Sequence, residues 1–298
     1  MQPQQDDFLG LNPTGFHKVA YLDWQRTGVM HRNGASEGGD GKTVICVHGL
    51  TRNSHDFDAL AEALVSAPNA INRVVCPDVV GRGASDWLKD PANYSYPQYL
   101  ADMTALMARL DTGSVDWVGT SMGGLIGMSL AALPNNPIRR LVLNDIGPVI
   151  SKASLQRISD YVGLDYRFSS LDALERHLRK IHAPFGSLTD AQWKYMAQYS
   201  QRDLGDHHLG LAYDPAIAQN VKLGVADVDL WVFWDRITCP VLVLRGAESD
   251  IISAETAQMM TERGPKAELI TIPGVGHAPA LMAQDQIDIV TGWLTKTL

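Results

Sequence analysis

Short runs rich in Val, Ile and Leu recur along this chain at Thr43–His48, Arg73–Pro77, Val115–Gly119, Arg140–Asn144, Val241–Arg245 and Glu268–Ile272. They lack strict apolar–polar alternation, so each is expected to form a strand buried on both faces, as in a parallel sheet. Between them, apolar positions repeat with a helical period over Ser54–Ser66, Tyr96–Leu110, Met122–Leu133 and Ser253–Arg263. Strands alternating with helices predict a doubly wound, mostly parallel α/β sheet. A pair of strands is expected to precede it, around His17–Gln25 and Thr27–His31, with a Gly-rich polar excursion over Arg32–Lys42.

The rhythm stops from about Gly147 to Asp235. Helical patterns at Leu155–Val162, Ser170–His182, Thr189–Tyr199 and Pro215–Leu223 fill this stretch, and strand character returns only at Pro240. The pattern therefore predicts a core of residues 1–146 and 236–298, with a helical cap of residues 147–235 inserted after the sixth strand. Such an insertion falls at the sheet edge where open α/β folds bind ligands, so it is expected to serve as a lid.

Composition narrows the classes further. A chain of 298 residues with 45% hydrophobic content can bury a sizeable core. A formal charge of -8 without a basic stripe argues against a nucleic-acid partner. No run approaches the ~18 apolar residues that a membrane-spanning helix requires. The N-terminal MQPQQDDFLGLNPTG has neither the basic nor the apolar region of a secretory signal. Cys46, Cys76 and Cys239 lie in or beside apolar runs, as reduced, buried thiols do, so a cytoplasmic location is expected. Oligomeric state leaves no signal.

The candidate chemistry lies at Gly119-Thr120-Ser121-Met122-Gly123, a G-x-S-x-G segment between an apolar strand and a helix. A hydroxyl there must stand on a very tight turn, and the flanking glycines remove clashes that a Cβ would cause. The following helix N-terminus adds a positive dipole end. Ser121 needs a base, and the base needs an orienting carboxylate. His277, in Pro273-Gly274-Val275-Gly276-His277, follows the last predicted strand. Asp250, in Gly246-Ala247-Glu248-Ser249-Asp250, follows the strand before it and is the favoured acid. Asp145 also ends a strand and is its rival; Glu248 is a weaker one. The backbone N–H groups of Leu50, after His48-Gly49, and of Met122 are the expected oxyanion donors. His48 is expected to brace that loop.

Ser121, Asp250, His277 and the His48-Gly49 turn together resemble the α/β-hydrolase superfamily, in its lidded branch of small serine hydrolases similar to carboxylesterases. The segment Pro77-Asp78 followed by Gly81-Arg82-Gly83-Ala84-Ser85 is a further point of likeness, with Asp78 and Arg82 read as structural. The resemblance implies an acyl-enzyme mechanism on a small-molecule acyl substrate, with carboxylic esters first in line and no metal or organic cofactor. Related enzymes that use Asp as nucleophile are disfavoured because residue 121 is Ser.

Specificity is expected to come from the lid. Trp231 and Trp234, with Asp145, are candidates to line the substrate pocket, and Trp193, Tyr195, Met196 and Tyr199 form a second aromatic group. Asp206-His207-His208 is not read as a metal site, because adjacent histidines rarely share one metal and the segment lacks a convincing third ligand. Two other enzymatic outcomes use the same residues: hydrolysis of a carbon–carbon bond, or acyl transfer and peracid formation. Carbon–carbon substrates of this kind carry carboxylates, so Arg157, Arg167, Arg176, Arg179 or Lys180 would then face the pocket. A non-catalytic ligand-binding module is the remaining class.

Overall fold

A computed structural model of the protein describes residues 1–26, 42–67 and 71–297. Its main sheet contains β1 (Gln4–Asn12), β2 (Gly15–Gln25), β3 (Thr43–Val47), β4 (Arg73–Pro77), β5 (Val115–Thr120) and β6 (Ile138–Asn144). After the insertion come β11 (Val241–Gly246) and β12 (Glu268–Ile272), and the spatial order is β1-β2-β4-β3-β5-β6-β11-β12. The β1–β2 and β2–β4 pairs are antiparallel; every other pair is parallel. This is the doubly wound sheet that the unbroken apolar runs predict.

Burial explains those runs. Within β3, Ile45 and Val47 join one core with Trp117, Leu141, Leu143 and Val243, on the side of α2 (Tyr96–Arg109) and α3 (Met122–Ala131). Val44 and Cys46 join the opposite core with Val118, Val142, Leu242 and Leu244. There α1 (Asp58–Ser66) and α10 (Gln284–Thr295) pack, while α9 (Ala254–Glu262) contributes Ala257 and Met260 to the first core. Successive side chains enter opposite cores, so neither face can be polar.

The strand expected around His17–Gln25 is present as β2, and β1 precedes it as an unexpected strand. The antiparallel pair is β1 with β2, meeting at Asn12↔Gly15, whereas Thr27–His31 and most of Arg32–Lys42 lie outside the described residues. β1 escapes an apolar-run search because it is an edge strand: Phe8 and Gly10 are buried, while Leu9 and Leu11 face solvent.

Between β6 and β11 lie α4 (Lys152–Tyr161), α5 (Leu171–Ile181), α6 (Asp190–Ser200), α7 (Ala218–Leu223) and the short α8 (Trp231–Trp234). Two small antiparallel ribbons also occur there: β7 (Val149–Ile150) with β10 (Val228–Asp229), and β8 (Gln201–Asp203) with β9 (Leu209–Leu211). Side-chain caps from Ser151, Ser170 and Thr189 begin α4, α5 and α6. Phe168, Leu174, Leu178, Trp193, Met196 and Ala197 form a separate small core within this segment. Among the described residues, no helix is long and apolar enough to cross a membrane.

Candidate active site

Ser121 stands between β5 and α3 with φ 50° and ψ -113°. A non-glycine residue with φ in the left-handed range carries strain, which the surroundings must hold in place. They do so through close backbone packing. A Cβ at Gly123 would lie 2.0 Å from the Val47 carbonyl oxygen, and one at Gly119 would lie 2.4 Å from the Gly123 backbone. Only glycine fits at either position. The turn thus presses against the end of β3 and lifts the Ser121 hydroxyl clear of the sheet.

Oγ of Ser121 lies 3.0 Å from Nε2 of His277. Nδ1 of the same ring lies 2.7 Å from Oδ2 of Asp145, whose side chain is fully buried. Asp145 follows β6 directly and has φ 56°. Its backbone N–H donates to the Leu244 carbonyl at 2.8 Å. Its carboxylate also accepts from the Gly246 N–H at 2.7 Å and the Ser249 hydroxyl at 2.6 Å. With these donors and the imidazole converging on it, this buried carboxylate is held in one orientation.

The loop bearing His277 is fixed from two sides. The Asn144 side-chain amide donates to the Pro279 carbonyl at 2.8 Å, and the Gly276 N–H donates to Pro184 at 2.7 Å. Pro184 belongs to the segment inserted between β6 and β11, so that segment helps to hold the histidine loop.

Asp250 does not meet His277, and the expectation that it orients the histidine is corrected. Its carboxylate is half exposed and pairs with Arg157 of α4, at 2.5 Å from Nε and 3.0 Å from Nη2. The physical reason is strand position. Asp145 comes one residue after β6, which lies beside the strand carrying Ser121; Asp250 comes four residues past β11, beyond a turn. From that turn Ser249, not Asp250, reaches the buried carboxylate.

The cleft above Ser121 is lined by Leu50, Arg52, Arg157, Ile158, Tyr161 and His277, with Phe185, Met196 and Met282 among its apolar walls. The proposed pocket residues Trp231, Trp234 and Asp145 lie outside this lining, a second correction. Trp234 is fully buried in the core and donates from its indole N–H to the Arg263 carbonyl at 3.0 Å. Trp231 packs edge-on against it under the Arg263 guanidinium. Their i, i+3 spacing reports helix packing, not a ligand surface. Of the second aromatic group, Met196 reaches the cleft, whereas the Tyr195 hydroxyl donates to Asp58 and Tyr199 stacks on His55. Of the five basic candidates, Arg157 alone is part of the lining.

Sequence reasoning missed Arg52, which lines the cleft three residues past Gly49. It is buried and bonded to Asp56 through Nε and Nη2 and to the Ser200 hydroxyl through Nη1 at 2.9 Å. A lone Arg after a glycine turn carries no pattern that would have exposed it.

Leu50 follows β3 and Gly49, and the Gly49 Cα faces the Ser121 side chain: an added Cβ there would lie 3.8 Å from Ser121 Cβ. Met122 opens α3, where first-turn N–H groups have no partner inside the helix. His48 braces the loop as expected. Its Nε2 accepts the Val79 N–H at 2.9 Å, so Nδ1 carries the proton and donates to the Gly49 carbonyl at 2.7 Å. Complete burial pushes the His48 pKa down to about 4.

A histidine buried neutral destabilises the fold once the unfolded chain can take up the proton. Stability from His48 is full above the unfolded value near ~6.5 and is lost as pH falls from there towards about 4. The loss is expected to reach about 3 kcal/mol. Urea unfolding at pH 7.5 and 4.5 checks it: His48→Gln should show a smaller difference between the two than the wild type, and equal differences would contradict the assignment.

The family described as the alpha/beta hydrolase fold matches residues 42–282, and the chain belongs to it. The chain is 40% identical over 294 residues, covering 96% of its own length and 95% of the relative's, to a 3-hydroxybutyrate-oligomer hydrolase of Cupriavidus necator. A Rickettsia typhi structure superposes with a TM-score of 0.86 at 32% identity, with 100% of both chains covered. An alpha/beta hydrolase from Novosphingobium aromaticivorans gives a TM-score of 0.84 at 34% identity over 99% of each chain.

Proposed function

We propose that the protein is a serine hydrolase that cleaves short carboxylic esters, with linear esters of small hydroxy acids as its preferred substrates. The observation that carries this is the unbroken chain from the Ser121 hydroxyl through His277 to buried Asp145, with spacings of 3.0 and 2.7 Å. That chain makes an alcohol nucleophilic at neutral pH.

Catalysis then proceeds in two halves. His277 Nε2 takes the Ser121 proton as Oγ attacks the ester carbonyl; Asp145 holds the neutral ring in its Nδ1–H tautomer and stabilises the imidazolium that forms. The N–H groups of Leu50 and Met122 hold the oxyanion. His277 returns the proton to the departing alcohol, leaving an acyl group on Ser121. Water, deprotonated by the same imidazole, attacks the acyl carbon, and the imidazolium returns that proton to Ser121 Oγ as the acid departs. Residues 147–235 act as the cap, since the cleft is walled by α4, by the end of α5 and by Met196 of α6.

Hydroxy-acid esters are favoured for two reasons. The similarity to the 3-hydroxybutyrate-oligomer hydrolase spans nearly the whole of both chains. The cleft also combines apolar walls with polar groups suited to a chain of alternating ester and methylene units. Carbon–carbon hydrolysis of polyanionic substrates is less well supported, because Arg52 and Arg157 already pair with Asp56 and Asp250.

The test is release of free acid from the dimer and trimer of 3-hydroxybutyrate, beside p-nitrophenyl butyrate and octanoate. Hydrolysis of the oligomers with a higher kcat/KM than octanoate is expected. Turnover of the octanoate alone would overturn the substrate class, and inertness towards all four would overturn the esterase reading.

A further inference from the structure

Arg82 lies in the Gly81-Arg82-Gly83 turn after β4, and its side chain is fully buried. A buried guanidinium ordinarily has a carboxylate beside it, because desolvating an unpaired charge is costly. Here its hydrogen-bond partners among the described residues are all neutral. Nε donates to the Leu50 carbonyl at 2.9 Å, and Nη1 donates to the Val80 carbonyl at 2.7 Å and the Tyr99 hydroxyl at 3.1 Å. Nη2 meets the Met122 sulfur at 3.7 Å. The rings of Tyr94 and Tyr99 lie 5.8 and 5.2 Å from its central carbon.

Two of those partners, Leu50 and Met122, are the residues whose N–H groups are proposed above to hold the oxyanion. We infer that Arg82 is a positioning residue for the oxyanion site: it fixes the Leu50 peptide and sets a buried positive charge, without a carboxylate among its described hydrogen-bond partners, behind the place where negative charge develops. This rests on the proposed role of Ser121. In the resting protein only neutral groups among the described residues hydrogen-bond the charge; it gains a full counter-charge when a tetrahedral oxyanion forms, which is the condition for selective transition-state stabilisation.

The turn itself is anchored elsewhere, which keeps the guanidinium in place. The Gly83 N–H donates to the Ala212 carbonyl and the Asp214 N–H donates to the Gly81 carbonyl, each at 2.8 Å, so the inserted segment grips the turn. On the other side Asp78 accepts from the N–H groups of Ser54 and Ala84, and a Cβ at Gly83 would collide with its carboxylate at 2.3 Å. Main chain held by the insertion and side chain held by the oxyanion loop together give Arg82 little freedom to relax.

The test compares wild type, Arg82→Met and Arg82→Lys on p-nitrophenyl butyrate, with inhibition by butylboronic acid, which forms an anionic tetrahedral adduct on a nucleophilic serine. Arg82→Met should lose about 30- to 100-fold in kcat with KM within about twofold, and boronate affinity should fall in parallel. Arg82→Lys keeps the charge but loses the Nε bond to Leu50, and should lose only about 5- to 10-fold in kcat, again with boronate affinity. That second variant keeps the test decisive if the first fails to fold. A folded variant whose kcat and boronate affinity match wild type, or whose loss lies in KM alone, overturns the assignment while leaving the serine mechanism intact. A wild type inert to both ester and boronate overturns the serine mechanism and this inference with it.

Discussion

Asp145→Asn is expected to lower kcat on p-nitrophenyl butyrate by about 1,000- to 10,000-fold, while Asp250→Asn stays within about threefold of wild type. The difference follows from position. Asp145 is fully buried and receives His277 Nδ1 at 2.7 Å, whereas Asp250 is half exposed and paired with Arg157. An amide at residue 145 presents either a donor to Nδ1 or a neutral acceptor. The first forces the proton onto Nε2, where it blocks acceptance from Ser121; the second leaves the imidazolium without its counter-charge. Loss of an exposed ion pair costs little, because water and salt already screen it. Steady-state kinetics on the two variants, with melting temperatures as a check on folding, decides the matter. A larger loss at Asp250 would reverse the assignment.

Ser121→Ala is expected to reduce kcat by about 100,000- to 1,000,000-fold, with KM nearly unchanged. The substitution removes the attacking oxygen and leaves the cleft, the oxyanion donors and His277 in place. Some strain at φ 50° remains, because alanine also has a Cβ, so the fold should be little affected. The double variant Ser121→Ala/Asp145→Asn should be scarcely worse than the single, since both residues serve one step. Multiplicative losses in the double variant would mean that the two act independently.

Much of the fold was legible because the physical signals are local. Runs such as Val241–Arg245 must be buried on both faces, and they are. The G-x-S-x-G segment at Ser121 announces its turn, because glycine is demanded there by contacts as short as 2.0 Å. His277 stood out as the histidine after the last strand. The carboxylate that meets it did not, because two aspartates each follow a strand and the choice depends on which strand lies beside β5, a fact of sheet order. The pocket was less legible still. Trp231 and Trp234 looked like a ligand surface, but Trp234 lies in the core and Trp231 packs against it, while Arg52 reaches the cleft from just beyond the His48-Gly49 turn. Orientation of a helix against a sheet is a long-range outcome, and aromatic content alone does not reveal it. Arg82 shows the same limit: its motif is visible, but its lack of an acidic hydrogen-bond partner emerges only in three dimensions.

The whole account depends on the hydroxyl at residue 121 being made nucleophilic by the imidazole at residue 277. The most direct measurement is peptide mass mapping after treatment with a fluorophosphonate, on wild type and on His277→Ala. The account predicts one phosphonylated peptide, modified at Ser121, in the wild type and labelling slowed by at least about 1,000-fold in the variant. An unlabelled wild type, a label on another residue, or equal labelling rates in the two proteins would contradict it.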